Sequence, residues 1–252
     1  MADAPPLPIN PGDIIDKKYR VEQRLGAGGM GIVVAARHIA LDQLRAIKLM
    51  NPSEHGKARS IERFMNEARA AARLISEHTA KIHDFGHLES GVPYIVMEHL
   101  EGSDLAKVLK ERGALPIDVA ALYVSQACDA IAEAHAHKVW HRDIKPANLF
   151  LTSRLNGSPC VKVLDFGLSK VGVRIRASRS EVTTGDEVMG TPSYMSPEQL
   201  RSTRDVSHRT DVWSLGVVLF ELVTGQKPFA GETKPLIYAA VLEKKPRSPK
   251  IG

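Results

Sequence analysis

Asp143, Lys145 and Asn148 share the run His141-Arg142-Asp143-Ile144-Lys145-Pro146-Ala147-Asn148, and Asp165 follows in Asp165-Phe166-Gly167. A proton acceptor, an ammonium group and two hard oxygen ligands are what phosphoryl transfer asks of a protein. That reaction needs in-line positioning and positive charge around the phosphoryl oxygens more than covalent help. On this reading Asp143 accepts the proton of an attacking hydroxyl and Lys145 neutralises the moving phosphoryl group, while Asn148 and Asp165 hold Mg²⁺, with Mn²⁺ as the substitute metal. Asp and Asn also populate plain turns, so each residue alone signals little. Two motifs in the required order carry the reading.

Such a site needs elements that bring phosphates to it. Gly26-Ala27-Gly28-Gly29-Met30-Gly31-Ile32-Val33 fits G-x-G-x-x-G-x-V, whose glycines let backbone approach phosphates without a Cβ in the way. A dinucleotide-binding turn shares the glycines but runs into a helix. Here Ile32-Val33-Val34-Ala35-Ala36 continues as an apolar, β-branched run, so the sequence predicts strand, loop and strand. Ala46-Ile47-Lys48 closes another short apolar run and places Lys48 to reach phosphates from the sheet. Lys48 needs a carboxylate to aim it. Ile61, Phe64, Ala68, Ala71, Ala72 and Ile75 make an apolar stripe at helical spacing between Ala58 and Ile75, and Glu67 lies beside that stripe. The plainer alternative for Glu67 is a surface pairing with Arg63.

Taken together, these motifs resemble the protein kinases. Gly190-Thr191-Pro192-Ser193-Tyr194-Met195-Ser196-Pro197-Glu198 is similar to that family's substrate-docking loop, with Ser-Pro-Glu where Ala-Pro-Glu is usual. Asp211-Val212-Trp213-Ser214-Leu215-Gly216-Val217 resembles the buried helix whose aspartate bonds backbone amides of the catalytic loop, which gives Asp211 a structural role. The resemblance runs from about Tyr19 to about Lys245. It implies an α+β, two-lobed fold: a flexible arm over residues 1–16, a small antiparallel-sheet lobe with one helix over 17–100, and a mostly helical lobe over 101–252.

The same resemblance implies ATP as the phosphoryl donor. Gly26, Ala27, Gly28, Gly29, Met30 and Gly31 would cover its phosphates, and Val33, Ala46 and Phe150 would sandwich the adenine. Phe150 stands where an aliphatic residue is commoner. Met97 would be the gatekeeper, with the Glu98 carbonyl and the Leu100 amide bonding the adenine edge. Asp104 either bonds the ribose hydroxyls or a basic substrate side chain, or caps the helix that begins at Leu105.

Lys145 and Thr191 resemble the serine/threonine branch, so protein serine and threonine hydroxyls are the expected acceptors. The Gly-Gly-Met-Gly turn and the strand Tyr94-Ile95-Val96-Met97-Glu98 resemble eukaryotic-like kinases of bacteria. Between Asp165 and Glu198, Arg174, Arg176 and Arg179 are interleaved with Ser178, Ser180, Thr183 and Thr184, and little apolar content holds the stretch. The family's phosphosite position falls nearest Thr183, with Thr184 second, and Arg142 is the expected grip for that phosphate, so autophosphorylation is expected to activate the chain. The alternative is a pseudokinase, a truncated or inactive scaffold of the same fold. Retention of Lys48, Asp143, Asn148 and Asp165 favours the enzyme. A small-molecule phosphotransferase would not need Gly190-Thr191 or Pro197-Glu198.

With 252 residues, 43% of them hydrophobic, the chain can bury a sizeable core. Val119, Leu122, Tyr123, Gln126, Ala127, Ala130, Ile131 and Ala134 stripe one long helix, and Val212 to Val223 reads as a nearly all-apolar buried one. That second stretch is too short for a membrane span and contains Ser214 and Glu221. Met1 to Pro11 lacks the basic start and apolar centre of a signal peptide. Cys128 and Cys160, without metal-ligand spacing, are expected as buried free thiols of a reducing cytoplasm. The net charge of +5 is spread along the chain and has no aromatic platform beside it, so no nucleic-acid partner is expected. Related kinases continue with two further helices and an arginine that pairs with the Glu198 position. Without them an apolar face would stay wet at about 25 cal/mol per Å². The expectation is therefore a longer chain, a second copy or a partner covering that face.

Overall fold

The computed structural model describes residues 9–28, 31–51, 58–166, 192–201 and 206–249. The chain divides into two compact units, Met1–Glu101 and Gly102–Gly252. The boundary falls one residue later than expected. Gly102 has φ 138°, and a Cβ there would lie 2.1 Å from the Leu151 carbonyl oxygen, so the chain enters the second unit already pressed against one of its strands.

In the first unit, β1 (Ile14–Ile15), β2 (Tyr19–Gly28), β3 (Gly31–His38), β4 (Gln43–Met50), β5 (Ile82–His87) and β6 (Pro93–Glu98) form one sheet. Its order is β1-β2-β3-β4-β6-β5, antiparallel throughout. Ile32, Val34, Ala36, Ile47, Leu49, Tyr94 and Val96 form a core with Ile15, Tyr19 and Val21. Because successive strand residues alternate sides, Val33, Ala46, Lys48 and Met97 turn to the opposite face. The register places Lys48 between Val33 and Ile95, and Ala46 between Ala35 and Met97.

Two expectations change here. Residues 9–16 are not a loose arm: Ile14–Ile15 pair with β2, the Gly12 N–H donates to Val21 O, and Ile9 packs on a core that contains Ile15. Burial of two isoleucines outweighs the proline content of the segment before them. The helix expected from Ala58 to Ile75 is α1 (Ala58–Ala71), packed on β5 and β6. Beyond Ala71, Arg73 N–H bonds Ala70 O and Leu74 N–H bonds Ala71 O, the tighter three-residue spacing. That shifts the phase of the stripe, so Leu74 is 6% exposed and Ile75 is 86% exposed.

The second unit contains β7 (Ser103–Asp104), α2 (Leu105–Arg112), α3 (Ile117–Ala136), β8 (Leu149–Ser153), β9 (Pro159–Val163), α4 (Pro197–Arg201), α5 (Arg209–Thr224) and α6 (Lys234–Glu243). Short 3₁₀ turns span Pro146–Asn148 and Pro192–Tyr194. β7, β8 and β9 make a small antiparallel sheet, and α3 packs on α5 and β9. Its buried line holds Tyr123, Ala127, Ala130, Ile131 and Ala134 as expected, but Val124 is buried and Leu122 exposed. Cys128 sits beside this line and is exposed, contrary to expectation, while Cys160 is buried in β9. Neither forms a disulfide.

α5 is buried along Asp211, Ser214, Leu215, Val218 and Leu222, yet Val212 is 59% exposed. Val212, Trp213, Gly216 and Phe220, with Pro228, Phe229 and Glu198, line a cavity of about 690 Å³. The helix read as buried all round therefore has one packed face and one open one. No ion pair reaches Glu198 among the described residues. No helix among the described residues is long and apolar enough to cross a membrane.

Candidate active site

The anchor of the site is Asp211, in the first turn of α5 and fully buried. Its Oδ2 accepts the His141 N–H at 2.9 Å and its Oδ1 the Arg142 N–H at 2.7 Å. His135, in the last turn of α3, meets Oδ2 through Nε2 at 2.7 Å. A carboxylate only accepts, which assigns a proton to that nitrogen. Three donors thus compensate a charge that would otherwise be costly to bury. With its amide gripped, Arg142 adopts φ 63°, and Asp165 adopts 59°. Left-handed backbone at residues other than glycine persists only where the surroundings hold it.

His141, also fully buried, links the two motifs. Its Nε2–H donates to Leu164 O at 2.8 Å, and its Nδ1 accepts the Asp143 N–H at 3.3 Å. One imidazole therefore ties the backbone of Asp143 to the residue preceding Asp165. The Phe166 ring, buried, lies 5.2 Å from it.

Pro146 starts the 3₁₀ turn, which folds Asn148 back onto Asp143. Asn148 Nδ2 donates to Asp143 O at 2.8 Å and to Asp143 Oδ2 at 3.3 Å. Lys145 Nζ donates to the same Oδ2 at 2.7 Å. With Oδ2 engaged twice, Oδ1 is the Asp143 oxygen left to accept a proton. With Nδ2 engaged, the Asn148 amide presents Oδ1 as an oxygen ligand. Asp143, Lys145 and Asn148 are thus brought together, and Asp165 stands at the end of β9's exit, next to Leu164.

In the first unit Lys48 is 5% exposed on the sheet face that carries Val33, Ala46 and Met97. Glu67 falls within α1, but its side chain lies outside what the structure describes. The glycine-rich segment closes β2 and opens β3, with Gly28 paired to Gly31. Gly29 and Met30 lie outside the described residues. A Cβ on Gly31, at φ 146°, would lie 1.8 Å from Leu49 O, whereas one on Gly26 would meet nothing within 4 Å. Glu98 closes β6 on Lys81: its N–H donates to Lys81 O at 2.9 Å and its Oε1 accepts the Lys81 N–H at 2.7 Å. Leu100 is half-buried.

Asp104 caps α2, its Oδ1 accepting the Lys107 N–H at 2.9 Å. Of the alternatives for that residue, the cap is the one made within the unit. Phe150 on β8 pairs with Asp104 and Lys162. Thr183, Thr184 and the arginines beside them lie outside the described residues, as do Gly167 and Thr191.

The segment entering α4 is fastened to α5. Tyr194 OH donates to Glu221 Oε2 at 2.6 Å, Ser214 Oγ donates to Tyr194 O at 2.8 Å, and Ser196 Oγ lies 2.6 Å from Thr210 Oγ1. Burial, helped by the Glu221 carboxylate, pushes the Tyr194 phenol up from its ordinary value. Gln199, which the sequence reading passed over, donates from Nε2 to Arg142 O at 2.9 Å. The signal for it was the Ser196-x-x-Gln199 spacing of a helix capping box.

The chain matches the protein kinase domain family over residues 19–251. It is 39% identical over 222 residues to serine/threonine-protein kinase pkn3 of Myxococcus xanthus, an alignment covering 88% of this chain and 40% of that protein. It is 36% identical over 222 residues to serine/threonine-protein kinase PknB of Mycobacterium leprae, covering 87% of this chain and 34% of that one. The chain spans less than half the length of these curated relatives. Its structure aligns with the crystal structure of the Mycobacterium tuberculosis PknI kinase domain at TM-score 0.69 and 26% identity, over 92% of this chain and 85% of the other. Sequence and fold agree that this chain belongs to the protein kinase family, in the eukaryotic-like serine/threonine branch to which these bacterial relatives belong.

Proposed function

We propose that this chain transfers the γ-phosphate of ATP to serine and threonine hydroxyls of proteins. The observation that carries the reading is the Asp143 carboxylate, with Lys145 and Asn148 on one oxygen and the other turned free of them. The family uses ATP with a divalent cation, and Mg²⁺ fits the donor set better than a softer metal because Asn148 and Asp165 offer hard oxygens. Among the described residues no three His, Cys, Asp or Glu side chains gather as a metal cluster, so such a cation would also draw on phosphate oxygens. When bound, Mg²⁺ and ATP supply the phosphoryl group and the charge that screens its oxygens.

The chain's own residues do the rest. Asp143 Oδ1 would take the proton of the substrate hydroxyl as that oxygen bonds to the γ-phosphorus and the bond from phosphorus to the bridging oxygen breaks, releasing ADP, and Lys145, 2.7 Å from Oδ2, keeps the carboxylate aimed. Lys48, buried on the sheet face that carries Val33, Ala46 and Met97, supplies a cation for the other phosphates, with Glu67 as its proposed partner. For regulation, the buried Nε of Arg142 has no hydrogen-bond partner among the described residues, a donor suited to a phosphate on Thr183 or Thr184. Two cysteines without a disulfide between them, Cys128 and Cys160, support a reducing, cytoplasmic setting.

Mutation tests the assignment. Asp143→Asn should keep ATP binding while phosphorylation of a generic basic protein in Mg²⁺ and ATP falls about 10²- to 10⁴-fold. Lys48→Met should weaken both ATP positioning and rate. An Asp143→Asn enzyme that works at the parent rate sinks the assignment.

A further inference from the structure

Arg142 holds φ 63°, and the peptide bond that follows it leads directly into Asp143. Its N–H side is fixed by Asp211 Oδ1 at 2.7 Å. Its carbonyl side is fixed by Gln199, whose Nε2 donates to Arg142 O at 2.9 Å. Gln199 is itself locked in a capping box at the start of α4. Its Oε1 accepts the Ser196 N–H at 3.0 Å, and its own N–H meets Ser196 Oγ at 3.3 Å. Ser196 is fully buried. One carboxamide therefore serves two unrelated tasks, the cap through its oxygen and the catalytic loop through its nitrogen.

We propose that Gln199 is a positioning residue for phosphoryl transfer. By clamping the carbonyl of the Arg142–Asp143 peptide, it holds the strained backbone that presents Asp143. This rests on the reading of Asp143 as the proton acceptor. The cap alone does not need a glutamine, since glutamate fills the same place in a capping box. What glutamate lacks is the N–H for Arg142 O, against which it would set a second acceptor.

Gln199→Glu separates the two tasks. The cap survives, so the thermal midpoint should stay near the parent's, while kcat for a generic basic protein falls about 10- to 100-fold. KM for ATP should stay within about twofold. Gln199→Met, which removes both bonds without adding charge, should lower kcat as well. In an Asp143→Asn background Gln199→Glu should cost no further rate, because the group it positions is already gone. Parent-like kcat in both Gln199 variants overturns the proposal. So does a loss of rate that persists undiminished on Asp143→Asn, which would mark a role in general stability. An Asp143→Asn single variant with parent activity would instead show that the acceptor itself was misassigned.

Discussion

At the scale of single residues, the site depends on side chains that never touch substrate. Asp211 combines two backbone N–H groups and the His135 ring on one buried carboxylate. Removing it leaves those donors inside the protein with no acceptor, a cost of about 1–3 kcal/mol for each unsatisfied group. Asp211→Ala should therefore lower stability by about 3 kcal/mol or more and cut activity with it, as read by urea unfolding and by phosphorylation of a basic protein. His135→Gln, which keeps a donor within reach of Oδ2, should do much less harm. A parent-like midpoint for Asp211→Ala would show that the catalytic loop is held by other means.

Among the elements, the glycine-rich hairpin divides its glycines by task. Gly31 is required by the sheet itself: at φ 146° a Cβ would collide with Leu49 O at 1.8 Å. Gly26 faces open space, with nothing within 4 Å of its Cβ position. Gly31→Ala should cost about 2 kcal/mol or more without any nucleotide present, seen as an earlier urea midpoint by circular dichroism. Gly26→Ala should move that midpoint by no more than about 0.5 kcal/mol. Its effect should appear as weaker ATP binding, because the open side is where phosphates would approach. Equal loss of stability in the two variants would contradict this division.

For the whole molecule, the proposed regulation would rest on charge added to the segment that carries Thr183 and Thr184. The described site already contains a buried Arg142 Nε without an acceptor. Replacing both threonines by alanine should lower activity toward other proteins several-fold while leaving the thermal midpoint near the parent's. Incubation with Mg²⁺ and ATP, followed by mass spectrometry, should place phosphate on one of the two in the parent. Full activity of the double alanine variant would remove Arg142 as a phosphate grip.

Spacing along the chain carried the proposed chemistry. Asp143, Lys145 and Asn148 could be proposed from one short run and Asp165 from a second motif after β9, and the paired strands flanking the glycine-rich segment were legible from the β-branched run after Gly31. Local periodicity also placed most of the buried line of α3. The folded chain decided what the periodic pattern did not carry. Three-residue hydrogen bonds at the end of α1 put Leu74 rather than Ile75 in the interior, and two isoleucines drew the start of the chain onto the sheet. Cys128 faces out because the packed face of α3 is set by α5 and β9. Gln199 reaches Arg142 across 57 positions of chain. No local pattern encodes that meeting, because it exists only once α4 is fastened to α5 and the catalytic loop is strung from Asp211.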